Sequence, residues 1–220
     1  MMIRPIRASL PLGGQGYRAH WEHIREIAPG RLLMGNTDGD LSVPEWRGQL
    51  DGAFLEGLMG KRWSIESRKG WHAMLAYYRA VLQNVRIKGF VGFNVSGSPQ
   101  DFRFFRYAYT SCLMDDGYFS FTDETNDYSS VPFFDEYDVD LGKATDLPRT
   151  TPWQKGIYRR LFEKGMVLVN PTAATATVAI EPGYRTITGK QDTKINHGRT
   201  VESITLAAKD GIVLLKQRKD

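Results

Sequence analysis

Two short apolar segments in the first third of the chain each end in a carboxylate. Residues 31–38 read Arg-Leu-Leu-Met-Gly-Asn-Thr-Asp, and residues 52–57 read Gly-Ala-Phe-Leu-Glu-Gly. Acidic side chains at the carboxyl ends of successive parallel strands are how β/α barrels assemble an acid/base site. The sequence therefore predicts such a site, with Asp38 and Glu56 as its candidate carboxylates.

A third acidic position follows later in the chain. The run Tyr118–Thr122 has a strand-like pattern and leads directly into Asp123 and Glu124. The carboxyl ends of parallel strands meet at one edge of a sheet, where the βα loops gather. Asp123 and Glu124 are therefore predicted to line the same mouth.

Up to about residue 127, helix-like and strand-like patterns alternate. Helices are predicted over Tyr17–Ala28 and Gly70–Asn84, where apolar residues recur every three or four positions, and after Asp101, which is a good N-cap. The predicted strands are Arg31–Asn36, Gly52–Glu56, Arg86–Val95 and Tyr118–Thr122. This alternation predicts parallel pairing with crossover helices. Four βα units are about half of an eight-stranded barrel, which takes ~250 residues.

From about Thr151 the pattern changes to short strands separated by turns. Gly156–Phe162 and Met166–Asn170 flank a Glu-Lys-Gly sequence, a hairpin signature in which Gly165 is predicted to adopt a positive φ. The other predicted strands are Thr175–Ile180, Thr186–Thr188, Val201–Leu206 and Gly211–Lys216. Five or six short strands at this spacing predict an antiparallel β-sandwich.

The predicted fold class is therefore α/β plus all-β, a half β/α barrel followed by a small sandwich. We place the partial barrel in residues 1–130, an ordered connecting segment in residues 131–150, and the β-sandwich in residues 151–220. The connecting segment contains too many aromatic residues, Phe133, Phe134 and Tyr137 among them, to remain solvated.

Composition excludes several classes of function. The 220 residues are 41% hydrophobic and 25% charged, which is ordinary for a packed protein, and the net charge of +4 comes from scattered basic residues rather than a dense patch. Nucleic-acid binding is therefore not expected. No apolar run is long enough to span a membrane, and no signal peptide is visible. The compartment stays open: intracellular as written, extracellular if the chain is a piece of a longer protein.

No cofactor or metal site is expected. The single cysteine, Cys112, excludes an internal disulfide and is predicted to be a small buried hydrophobe. His20 and His23 are spaced i, i+3 without a partner that completes a ligand set, so solvated helix histidines are expected. The Gly-Gly-Gln-Gly sequence at residues 13–16 follows no strand and lacks the lysine of a phosphate-binding loop. No Gly-x-Ser-x-Gly motif of a serine hydrolase occurs.

Two segments carry a family resemblance. Residues 134–142 read Phe-Asp-Glu-Tyr-Asp-Val-Asp-Leu-Gly, and residues 156–171 read Gly-Ile-Tyr-Arg-Arg-Leu-Phe-Glu-Lys-Gly-Met-Val-Leu-Val-Asn-Pro. Together they resemble the end of bacterial glycoside hydrolases in which a β/α barrel is followed by a small β-sandwich. The resemblance is to hypothetical glycosyl hydrolase family fifteen, distinct from the glucoamylases. Residues 33–38, 54–56 and 113–121 look like strands five, six and eight of such barrels.

Relatives in this family begin with four more strands, the fourth of which carries an Asp that completes the acidic site. Nothing in the present sequence corresponds to that segment. The chain is therefore expected to be a truncated fragment, the product of a mis-started reading frame, or a natural half-barrel.

The resemblance implies sugar chemistry without naming a sugar. Glycosidic cleavage needs one protonated carboxyl group and a second, ionised one. Glu56 is expected to be the general acid/base, partly buried among its apolar neighbours, with Asp38 in support and the nucleophile supplied by the absent half or by another chain. Substrate contacts are expected from Asn36, Trp46, Trp63, Asp123 and Glu124.

Each residue also has a purely structural interpretation. Glu56 is, on that interpretation, a loop residue paired with Lys61 or Arg62, and Asp38 belongs to a turn. Trp71 fits the helical apolar stripe and is expected in the core. The alternative function is a non-catalytic carbohydrate-binding or structural protein, and a third interpretation is an inactive fragment.

A half-barrel leaves two sheet edges unpaired and its interior uncovered. The sequence therefore predicts a homo-oligomer that associates through those edges.

Overall fold

The computed structural model of the chain describes residues 10–37, 47–126 and 129–217. Within these ranges the protein contains four α-helices and ten β-strands. The helices are α1 (Leu10–Ile27), α2 (Ile65–Lys69), α3 (Trp71–Asn84) and α4 (Phe102–Cys112). The strands are β1 (Met34–Asn36), β2 (Gly52–Met59), β3 (Val91–Gly97), β4 (Tyr118–Asp123), β5 (Tyr158–Leu161), β6 (Gly165–Asn170), β7 (Ala176–Ala179), β8 (Tyr184–Thr186), β9 (Ser203–Leu206) and β10 (Asp210–Lys216).

The first four strands form one parallel sheet in the order β1-β2-β3-β4. Helices α3 and α4 pack against it, and the apolar side chains beneath them are almost completely buried: Ala53, Leu55, Val91, Phe93 and Val95. Because successive side chains of a strand alternate between faces, the residues between these point to the opposite face. The predicted parallel pairing is confirmed.

The helices form where the apolar spacing predicts them. In α3 the residues of the predicted stripe are all buried: Trp71, Met74, Leu75, Tyr78 and Leu82. Helix α4 begins where Asp101 accepts a hydrogen bond from the Phe104 N–H over 3.0 Å, as its N-cap role predicts. The Cys112 side chain is buried, and this burial raises the pKa of its thiol to about 12, so it behaves as a small apolar residue.

The remaining strands form antiparallel sheets with a separate core. One sheet has the order β5-β6-β10-β8 and the other pairs β7 with β9. Their inward side chains form a second hydrophobic cluster that includes Ile157, Leu168, Val178 and Leu214. The protein is thus a mixed α/β structure with a parallel sheet and separate antiparallel sheets.

Residues 133–136 bridge the parallel and antiparallel sheets. The ring of Phe134 stacks on Phe105 of α4 with centroids 3.6 Å apart, and a short 3-10 helix begins at Asp135. The Asp135 carboxylate accepts hydrogen bonds from the N–H groups of Lys190 and Gln191. The neighbouring Glu136 is buried and accepts a hydrogen bond from Asn196 over 2.8 Å. The segment therefore joins α4 to residues 190–196.

The local structure differs from the sequence predictions at several positions. Helix α1 begins at Leu10, earlier than predicted, and α2 was not predicted because its single turn is too short to show a periodicity. Gly165 does not have a positive φ but lies within β6. A Cβ there would lie 2.3 Å from the Leu214 carbonyl oxygen, so the close approach of β10, rather than a turn, requires glycine.

Candidate active site

A row of polar side chains crosses the face of the parallel sheet that lies opposite α3 and α4. The row contains Asn36 of β1, Glu56 of β2, Asn94 of β3, and Ser120 and Thr122 of β4. Asn94 is 3% exposed and donates from its Nδ2 to Ser120 Oγ over 3.2 Å and to Thr122 Oγ1 over 3.0 Å. These hydrogen bonds satisfy a buried amide and hold the two strands in register.

Glu56 stands next to Asn36 in this row and has one hydrogen bond among the described residues. Asn36 donates from its Nδ2 to Glu56 Oε2 over 3.0 Å. The site therefore offers an exposed carboxylate held by an exposed amide, two groups that can hydrogen-bond sugar hydroxyls.

The position of Glu56 differs from its prediction in two respects. Strand β2 does not end at Glu56 but continues to Met59, and the side chain is exposed rather than partly buried among its apolar neighbours. The register to β3 shifts between Leu55 and Met59, because Leu55 pairs with Phe93 while Met59 pairs with Val95. Glu56 is the first residue of this β-bulge, and bulges near functional sites re-aim a side chain.

The loop after β2 is fixed against the neighbouring strand. Gly60 has a φ of +95°, and a Cβ there would lie 1.9 Å from the Ser96 carbonyl oxygen, so only glycine allows this contact. The next residue, Lys61, forms an ion pair with Glu124 over 2.5 Å. Lys61 is therefore engaged with the loop after β4, and it does not form the predicted alternative pair with Glu56.

Asp123 is almost fully buried at the end of β4. Its Oδ1 accepts hydrogen bonds from the Thr125 N–H and hydroxyl over 2.7 and 2.6 Å, and its Oδ2 accepts one from Ser130. The Thr125 hydroxyl above all, together with the other donors and against the effect of burial, holds the pKa of Asp123 below its usual range. Asp123 therefore orders its own loop as a carboxylate, and its contact with a substrate stays a prediction.

Trp63 lies on the rim of a small cavity. The cavity has a volume of about 240 Å³ and is lined by residues that include Trp63, Leu55, Arg68 and Tyr77. Leu55 of β2 and Tyr77 of α3 place it on the helix side of the sheet, whereas Glu56 points to the opposite face. With 53% of its surface exposed, Trp63 presents a ring of the kind on which a sugar face can stack.

Two predicted site residues, Asp38 and Trp46, lie outside the described residues. The sequence analysis missed Asn94, Ser120 and Thr122. The signal was present, because Asn94 and Ser96, like Ser120 and Thr122, are polar at every second position of an otherwise apolar strand.

The predicted positions of Trp71, His20 and His23 are confirmed. Trp71 is 3% exposed, and its Nε1 donates to Ser111 Oγ over 2.7 Å. His20 and His23 are exposed on α1. Among the residues that the structure describes, no group of three or more His, Cys, Asp or Glu side chains is arranged to hold a metal ion. No described helix is long and apolar enough to cross a membrane.

Comparison with known proteins identifies related sequences and folds. Residues 13–166 match the profile of a family described as hypothetical glycosyl hydrolase family 15. Among solved structures, Amy13B of Eubacterium rectale is similar, with a TM-score of 0.50 and 7% sequence identity. The similarity covers 94% of this chain but only 58% of Amy13B, so the chain spans little more than half the length of that protein. At this identity the likeness concerns the fold alone. No curated protein sequence matches the chain.

Proposed function

The chain belongs to hypothetical glycosyl hydrolase family 15, and we propose that it hydrolyses O-glycosyl bonds of a carbohydrate with a pair of carboxylates. Glu56 is the general acid/base of this reaction, and Asp38 supports it. The observation that carries the proposal is the Asn36–Glu56 pair, which is exposed on the face of the parallel sheet opposite α3 and α4. Glycosidases place their carboxylates at this kind of rim.

The proposed architecture is half of a β/α barrel, residues 1–130, joined by residues 131–150 to a β-sandwich of residues 151–220. This division is supported by the change from parallel to antiparallel strand pairing between β4 and β5. In this architecture the exposed face of the sheet is the barrel interior. Asn36, Trp63, Trp46, Asp123 and Glu124 are the proposed substrate contacts around it.

The second carboxylate is the missing part of the proposed site. A lone carboxylate can bind a sugar but cannot act as both acid and nucleophile. The proposal therefore needs Asp38, another segment or another chain to supply the second acid. Without it, the alternative applies, which is a carbohydrate-binding protein without activity.

Measuring hydrolysis and binding together separates the two functions. A panel of polysaccharides is incubated with wild type, with Glu56→Gln, and with Glu202→Gln, an exposed glutamate of the antiparallel sheets, as the matched control. The enzyme function predicts that Glu56→Gln lowers kcat by roughly 10²–10⁴-fold while Glu202→Gln has no effect. Binding without turnover in all three proteins supports the alternative. If the protein neither binds nor hydrolyses any polysaccharide, both functions are contradicted.

A further inference from the structure

The parallel sheet has two edges that are unpaired among the described residues. Strand β1 forms one edge and β4 forms the other, and both run in the same direction. Large apolar side chains stand exposed at these edges, with exposed fractions of 63% for Leu32, 40% for Met34 and 67% for Tyr118. By strand alternation all three lie on the face that carries Glu56. Unpaired parallel edges with exposed apolar residues are sites of strand addition.

The strand register shows how these edges fit each other. Asn36 pairs with Phe54, Phe54 with Gly92, and Gly92 with Tyr118, so one row crosses all four strands. β4 extends from this row up to Asp123, whereas β1 ends at the row. An eight-stranded β/α barrel has a shear of eight residues, or about four for each half. If the second copy is displaced by four residues along the strand direction, the C-terminal end of its β1 lies level with the C-terminal end of β4 of the first copy.

From this fit we infer that two copies of the chain close one eight-stranded parallel barrel around a two-fold axis. β4 of each copy pairs with β1 of the other, with Tyr118 opposite Leu32 and Ser120 opposite Met34 of the second copy. The inference rests on the proposed function, because it completes the same site. A displacement by an odd number of residues is excluded, because it would turn the polar row of one copy away from the barrel interior.

Helix α1 supports this arrangement independently. In a β/α barrel the helix that precedes a strand covers the junction between that strand and the one before it. The strand before β1 in the closed barrel is β4 of the second copy, and α1 exposes 57% of Tyr17 and 68% of Ile27. Closure would bury these side chains of both copies together with two pairs of strand edges.

Closure would place the two Glu56 side chains on opposite sides of one lumen. Eight strands spaced ~4.8 Å apart and tilted by ~36° enclose a ring roughly 15 Å across. Two glutamates that each reach roughly 4 Å inward leave their carboxyl groups roughly 7 Å apart. This separation lies within the range over which paired carboxylates cleave glycosidic bonds. The second acid of the proposed site is then Glu56 of the second copy.

Cross-linking tests the pairing directly. Met34→Cys and Ser120→Cys are made separately, purified and mixed under oxidising conditions. Within one chain these positions are three strand spacings apart, ~14 Å, which is beyond the ~7 Å reach of a disulfide. The native Cys112 is buried and does not interfere. We expect wild type at twice 24.9 kDa by light scattering, and a disulfide-linked dimer only in the mixture, not in either variant alone.

The outcomes distinguish this inference from the proposed function. A monomer of 24.9 kDa overturns the inference. This is the result expected if a preceding segment of a longer protein closes the barrel. A dimer that forms no disulfide in the mixture also overturns the inference. A linked dimer that hydrolyses no polysaccharide contradicts only the proposed function. If hydrolysis is observed, wild type and Glu56→Gln that are unfolded, mixed in equimolar amounts and refolded together should retain about a quarter of the activity of wild type refolded alone. About a half would refute the shared site.

Discussion

Asn36 donates a hydrogen bond to Glu56 over 3.0 Å, and this contact joins an edge strand to the bulge of its neighbour. The donor amide orients a carboxylate that is otherwise exposed. Removing this hydrogen bond should therefore affect function more than stability. An exposed hydrogen bond contributes at most about 1 kcal/mol to folding.

We expect Asn36→Ala to lower kcat/KM on a polysaccharide by at least ~10-fold while Tm changes by less than ~3 °C. Gln217→Ala is the matched control, since it removes another exposed side-chain hydrogen bond, to Thr200, away from the parallel sheet. Equal activities of the two variants would show that Asn36 does not position Glu56. A large loss of Tm would instead assign Asn36 to the fold.

Stability in acid should depend on Asp51, which joins α1 and β1 to the sheet. Burial disfavours the ionised carboxylate, but hydrogen bonds from the Leu33 N–H and Arg25, with the charges of Arg25 and Arg86, outweigh it and hold the pKa of Asp51 below its usual range. A depressed pKa contributes stability that is complete above the unfolded-state pKa, and this is lost as the pH falls through the folded-state value.

Asp51→Asn should therefore destabilise the protein by about 1–2 kcal/mol at pH 7, and the difference from wild type should shrink below about pH 4. Urea denaturation at pH 7 and at pH 3 measures both. Glu181→Gln, which alters the half-exposed pair with Arg159, is the control and should have little effect at either pH. A difference that stays constant with pH would mean that the amide disturbs packing rather than charge.

A buried ion pair links α4 to the antiparallel sheets. Arg106 donates from its Nε to Asp210 Oδ1 and to the Gly211 carbonyl oxygen, both over 3.1 Å, and it also pairs with Asp192. Burial raises the pKa of Asp210 in spite of the Arg106 charge. Removing the arginine leaves buried carboxylate charge without compensation, and such losses cost about 3–5 kcal/mol.

Arg106→Met should therefore lower the free energy of unfolding by about 3 kcal/mol at pH 7. Arg103→Met, one turn earlier and exposed on the same helix, should cost less than about 0.5 kcal/mol. Without Arg106, the buried Asp210 carboxyl group is costly in its ionised form and is protonated more readily at low pH. The loss in free energy of unfolding caused by Arg106→Met should therefore be smaller at pH 4 than at pH 7. Equal effects of the two variants in urea denaturation would contradict a structural role for the pair.

The sequence predicted those features that local patterns determine. Helix α3, β4 and the capping of α4 by Asp101 follow from apolar period and residue type within one segment. The half-barrel and the sandwich stay predictions, although the parallel and antiparallel sheets agree with them. Cys112 and Trp71 were assigned to the core because each lies on a helical apolar stripe.

The features that the sequence could not predict depend on residues far apart in the chain. The bulge at Glu56 arises from the register between β2 and β3, which no pattern within β2 specifies. Gly165 is needed because β10 approaches it from some 50 positions later in the chain. The motif at Phe134 was visible as a family resemblance, but its partners on α4 and near Asn196 lie in separate segments.

Gly60 offers the sharpest test of how the rim is built, because the chain contains a matched glycine. Gly60 and Gly183 both have a φ of +95°, but a Cβ at Gly183 would meet nothing within 4 Å, whereas at Gly60 it would collide with the Ser96 main chain. Gly183→Ala should therefore cost only the left-handed strain, about 1–2 kcal/mol. Gly60→Ala adds a main-chain collision that no rotamer change relieves, so its total should exceed about 3 kcal/mol.

The same pair of variants separates rim geometry from global stability. Gly60→Ala must shift the loop that carries Lys61 and Trp63, so it should weaken carbohydrate binding even at a temperature where the variant is fully folded. Gly183→Ala should bind as wild type does under the same conditions. Calorimetric titration with a polysaccharide ligand, preceded by circular dichroism to verify folding, measures the difference. If Gly60→Ala binds normally, the loop after β2 takes no part in recognising the sugar, and the proposed contact at Trp63 is wrong.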